Sequence, residues 1–140
     1  MGNKIKHIRF RGEVYAIIIP SEYQPTTVDF ITPNSYSLQL ACMDRPKGSK
    51  AQEHIHLNIK REINNTQEVL IFRKGRAKID FYTQEKKYLG SEDIRAGDIV
   101  LLIQGGHGVT FEEDTDVIEV KQGPYFDIEE KQKFNRGDIE

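Results

Sequence analysis

Arg76-Ala77-Lys78-Ile79-Asp80-Phe81-Tyr82 is the stretch on which the fold turns. Ala77, Ile79 and Phe81 alternate in it with Lys78, Asp80 and Tyr82. A strand sends successive side chains to opposite faces, so this order puts one set on a core and the other toward solvent. The same texture continues on both sides. Short runs rich in Val, Ile, Phe and Tyr fall at 13–19, 27–32, 36–43, 52–57, 67–73, 98–103, 107–112 and 116–121, and each reads as a strand. Between them, Arg45-Pro46-Lys47-Gly48, Asn64-Asn65, Lys74-Gly75 and Ala96-Gly97-Asp98 read as turns. No long stretch carries a helical apolar repeat. The tail around Ile128–Phe134 offers one or two helical turns or a charged, frayed end. The pattern predicts an all-β fold, an antiparallel sandwich or barrel.

The chain has 140 residues, which fits one domain over 1–140. Its core is expected over 36–121, with N-terminal strands in 13–32 and a charged tail over 124–140. Hydrophobic residues make up 37% and charged residues 30%, a balance that argues against wholesale disorder. A formal net charge of −2 gives no electrostatic reason to expect nucleic acid or an anionic membrane surface. The single cysteine, Cys42, cannot form an internal disulfide. Within Ser37-Leu38-Gln39-Leu40-Ala41-Cys42 it reads as a small buried hydrophobe, with a reactive thiol as the alternative. The first twenty residues have neither the pattern of a signal peptide nor the length of a membrane span, so a cytoplasmic location is expected. Val14–Ile19 is apolar on both faces. That predicts either a homodimer that buries it or a place in the middle of a sheet.

Three of the four histidines stand near strand-like segments. In His54-Ile55-His56 both imidazoles leave one face of an extended chain while Ile55 leaves the other. Imidazoles so placed can converge on one ion, though a surface pair has the same spacing. Glu68 opens Glu68-Val69-Leu70-Ile71-Phe72 and shares a face with Leu70 and Phe72. A carboxylate pointing into a core needs a partner or a metal, whereas a strand-end glutamate can face water. His107 follows Gln104-Gly105-Gly106. The glycines let the backbone approach closely where a side chain must be aimed into a cavity; a plain turn histidine is the alternative.

At these residues the sequence resembles the cupin superfamily. Gly48, a five-residue gap, and His54-Ile55-His56 look like the first cupin motif, completed by Glu68 and Gly75. Gly97-Asp98-Ile99-Val100 and Gly105-Gly106-His107 look like the second. Two departures stand out. Residues 57–67 lengthen the usual gap before the glutamate, which makes Glu62 a rival to Glu68. Ile103 also stands where the motif has proline, and the Gly-to-His stretch is one residue short. The segments Thr66–Leu70 and Glu119–Tyr125 resemble small stand-alone bacterial cupins, some of them associated with sugar-nucleotide or surface-polysaccharide pathways.

The resemblance implies a cupin-like antiparallel jelly-roll barrel with a metal ion in its mouth, held by His54, His56, Glu68 and His107. Such a mixed nitrogen and oxygen set suits Fe, Mn, Ni, Co or Zn. Gln52, Gln67, Arg73, Tyr82, Gln104 and Lys121 are candidates for orienting ligands or binding a small molecule, with solvated surface roles as the alternative. Ser and Cys near the histidines lack the spacing of nucleophilic triads. Two function classes follow. One is a metal-dependent isomerase, epimerase or oxygenase acting on a small polar, carbohydrate-derived molecule. The other is a non-catalytic module that binds a small ligand or regulates.

Overall fold

The computed structural model describes residues 4–138. Ten strands run through them: β1 Lys6–Phe10, β2 Glu13–Ile19, β3 Val28–Phe30, β4 Ala41–Met43, β5 Glu68–Lys74, β6 Arg76–Tyr82, β7 Tyr88–Arg95, β8 Ile99–Leu102, β9 Gly106–Phe111 and β10 Asp116–Lys121. There is no α-helix among the described residues, only short 3-10 turns at Asp127–Glu130 and Arg136–Asp138. The first lies where the charged tail was expected to turn. The protein is all-β, and every strand pairing is antiparallel. Among the described residues no helix is long and apolar enough to cross a membrane.

The chain forms two compact units. One comprises the residues up to Tyr23 together with those from Thr66 onward; the other is Gln24–Asn65. In the first, β1-β2-β8-β5-β10 make a five-stranded sheet and β7-β6-β9 a three-stranded one. Neither sheet closes on itself, so no barrel is formed from these pairings. The two sheets share one core. Ala16, Ile18, Leu70, Phe72, Val100 and Leu102 come from the larger sheet, and Ala77, Ile79, Phe81 and Ile94 from the smaller. Burying large aliphatic and aromatic groups in this way stabilises by about 1.5–3 kcal/mol for each side chain.

The apolar Val14–Ile19 belongs to β2, which lies between β1 and β8. Ile17 and Ile19 are buried as fully as Ala16 and Ile18. Its two apolar faces are accounted for by a place inside the sheet, without a second copy. Strands β1 and β7 were not expected. KHIRF carries three basic or imidazole side chains in five residues, and β7 sinks only Ile94 completely. Edge strands with one wet face give a weak apolar signal.

Two turns depend on glycine. Gly75 joins β5 to β6 at φ +90°, where a Cβ would run into the Asp114 carbonyl and Thr115. Gly105, ahead of β9, has φ +77°, and a Cβ there would meet the Tyr82 carbonyl and the Tyr15 ring. Only glycine adopts this region without a steric penalty. Asp98 fixes the turn into β8: its carboxylate accepts the N–H of Ser21 at 2.9 Å and that of Arg95 at 2.9 Å.

The second unit contains the short pair β3–β4. Thr32 and Gln39 bond side chain to side chain at 3.1 Å, and Gln39 also donates to the carbonyls of Pro33 and Tyr36. The stretch 52–57, expected as a strand, forms no strand and has no ladder partner among the described residues. Its alternation is real, yet a strand also needs a neighbour.

Candidate metal and ligand site

Glu68 begins β5 beside Lys121 of β10 and Leu102 of β8. It shares a face with Leu70 and Phe72, as its place in the alternation predicts, and all three line one cavity. His107 enters β9 opposite Phe81. Its strand alternation puts Val109 and Phe111 on the same side, and these line the cavity as well. Val117 and Glu119 of β10 complete a space of about 300 Å³.

Within this space Glu68 Oε1 and His107 Nε2 lie 3.0 Å apart, with side-chain exposures of 13% and 34%. The hydrogen bond from His107 holds the Glu68 carboxyl below the usual carboxylate range, against the opposing effect of burial. Glu119 forms a hydrogen bond with Glu68. Its own affinity for a proton is raised, first by burial and then by the charge of Glu68. The two neighbouring carboxyls are thus pushed in opposite directions. The alternation of 116–121 placed Glu119 on one face with Val117 and Lys121, but nothing in that segment alone said which face met the cavity.

A larger space of about 650 Å³ adjoins the first at Glu68, His107 and Glu119. Tyr82, Lys86 and Lys121 line it, together with tail residues from Glu130 to Asn135. The tail is anchored at its rim. Phe134 packs edge-on against Tyr82, ring centroids 5.1 Å apart, and Arg136 Nε donates to the Tyr82 hydroxyl at 3.1 Å. The Arg136 guanidinium also lies 3.8 Å over the Tyr88 ring and 3.3 Å from Asp80 Oδ2. No local sequence pattern marks Phe134 or Arg136 for this place.

The other expected site residues are divided between the two units. His54 and His56 are in the second unit, both exposed, with rings on one side at 5.0 Å and Nδ1 of His54 2.8 Å from the Gln52 carbonyl. Gln52 and Glu62 are exposed on the same stretch. Tyr82 and Lys121 line the larger cavity. Arg73 pairs with Asp116 at 2.8 Å on the surface, and Gln104 donates to the Val14 carbonyl at 3.0 Å. Gln67 is buried, its N–H donating to Gln122 Oε1 at 2.6 Å. Of the four expected metal ligands, Glu68 and His107 are brought together. Among the described residues no three His, Cys, Asp or Glu side chains stand as a metal-holding group. Comparison with family models, curated proteins and solved structures finds no match.

Proposed function

We propose that this chain is a cupin-like, metal-dependent enzyme acting on a small polar, carbohydrate-derived molecule as an isomerase, epimerase or oxygenase. The observation that carries the reading is the meeting of Glu68 and His107 at 3.0 Å, on two different sheets, inside one cavity. An imidazole nitrogen and a carboxylate oxygen facing the same space are donors that first-row divalent ions accept. His54 and His56 would supply two further imidazoles, and Fe, Mn, Ni, Co or Zn suits the resulting set. A bound ion would polarise a substrate oxygen.

The chain's own groups divide the remaining work. Leu70, Phe72, Val109 and Val117 give the inner cavity apolar walls. Glu119, whose carboxyl is hydrogen-bonded to Glu68, stands at the edge of the substrate space. Lys121 and Tyr82 offer polar contacts in the larger cavity.

Elemental analysis after reconstitution with each divalent ion tests the reading. Wild-type protein should retain about one equivalent, and Glu68→Gln should weaken retention by about tenfold or more. Glu62→Gln should leave it unchanged, and His54→Ala should lower it. Retention below about a tenth of an equivalent by the wild type overturns the metal site. Turnover is then followed on keto-sugars and nucleotide sugars with O2 uptake monitored. Metal retention without turnover of any of them would point to a non-catalytic binding module instead.

A further inference from the structure

Lys86, Lys121, Lys131 and Lys133 all line the larger cavity. Glu68, His107 and Glu119 line it where it adjoins the smaller one. One more carboxylate reaches in from the tail: Glu130, the last residue of the 3-10 turn Asp127–Glu130. Its side chain is 11% exposed, and Oε2 is shut off from water with no hydrogen-bond partner. Lys121 Nζ stands 3.7 Å from that same oxygen, too far for a hydrogen bond. A carboxylate oxygen that has lost its water and gained no donor is poorly stabilised. The tail therefore sets a negative charge beside Lys121 that gains little by being there.

We propose that Glu130 is an internal stand-in for the anionic group of a ligand: the larger cavity takes a small hydroxylated molecule bearing a carboxylate or a phosphate, and that group replaces Glu130 at Lys121. A free oxyanion can approach Lys121 to hydrogen-bonding distance, and a charge-assisted bond is stronger than the long pair it replaces. Glu130, once displaced, regains water. The charges of both Lys121 and Lys131 are felt at Glu119, so an oxyanion near Glu119 lies in the field of both. Hydroxyls of the same molecule would meet Glu68, His107 and Glu119, whose oxygens and nitrogens accept or donate hydrogen bonds. A space of about 650 Å³ is within the range of small-ligand pockets. Phe134 and Arg136 hold the tail further on, against Tyr82, Tyr88 and Asp80, so Glu130 can swing out while the tail stays attached. The exchange at Lys121 needs neither the metal nor the turnover proposed above.

Isothermal titration of chelator-treated, full-length protein with glucuronate, glucose 1-phosphate and glucose tests the exchange. Wild type should bind at least one of the two anions at millimolar concentration or below, and either one supports the proposal and identifies the group recognised. Glu130→Gln should bind that anion about tenfold tighter, because the competing charge no longer occupies the site. Lys121→Met should bind it about tenfold weaker, because the charge-assisted bond is gone. Where Lys121→Met does not fold, Glu130→Gln alone decides. Glucose should respond to neither substitution; an equal gain for glucose would mean a looser tail rather than an exchange of anions, and overturns the proposal. So does a Glu130→Gln protein that binds both anions no tighter than wild type, or a folded Lys121→Met protein that binds them as well. Absence of anion binding by wild type and Glu130→Gln alike overturns it too. Metal retention with no anion effect would leave the metal reading standing and overturn this one, and anion exchange without metal retention would do the reverse.

Discussion

Strand β6 and the arm around His54 carry the same alternation and meet opposite fates. Ala77, Ile79 and Phe81 are exposed by 0%, 0% and 2%, whereas Ile55 and Leu57 stand almost wholly in solvent. The difference is not the alternation itself, since each run sets apolar against polar side chains in turn. It lies in neighbours: β6 is flanked by β7 and β9 and faces the larger sheet, while the arm has no ladder partner among the described residues. Periodicity says which side chains share a face. Burial depends on a second surface that the local pattern does not name.

The sharpest way to break this comparison is to truncate equivalent residues in the two regions. Ile79→Ala should cost about 3 kcal/mol in chemical denaturation, because the hole it leaves is closed in by both sheets. A loss below about 1 kcal/mol would mean the core is looser than its burial implies. Leu57→Ala should have a smaller and different effect. It should change stability by less than about 0.5 kcal/mol in the same measurement, because Leu57 already stands in solvent. A loss above about 1 kcal/mol would show that the stretch is covered in solution.

The smallest effect concerns the border between ordered strand and arm. Cys42 sits in β4, just before the exposed stretch, and burial, followed by the negative charge of Asp29, raises its thiol above the ordinary value. A raised value means less thiolate at any given pH. Alkylation by iodoacetamide at pH 8 should therefore run about threefold or more slower than that of glutathione, and accelerate as pH climbs past the usual thiol range. Reaction at the glutathione rate would show β3–β4 opening readily in solution.

Much of the fold was legible because period-two runs bounded by Gly, Pro, Asn and Asp are local signals. The runs 13–19, 76–82 and 116–121 coincide with β2, β6 and β10 to the residue. The weaker edge strands β1 and β7 escaped, since charged and polar side chains on a wet face dilute the alternation. At the site, Glu68 was readable from its own strand: a carboxylate in phase with Leu70 and Phe72 must enter the space they enclose. His107 was readable from its glycines. Glu119 was not, because Val117 and Ile118 are equally apolar and either face of β10 could have been the inner one. Phe134 and Arg136 reach Tyr82 across a long loop of sequence, and such non-local contacts leave no mark on the local pattern.

The clasp of Phe134 over Gly106 ties the width of the larger chamber's doorway to the end of the chain. A methyl group added at 106 would come within 2.9 Å of the Phe134 ring and push the tail outward. A smaller side chain at 134 should therefore widen the larger cavity without touching Glu68 or His107.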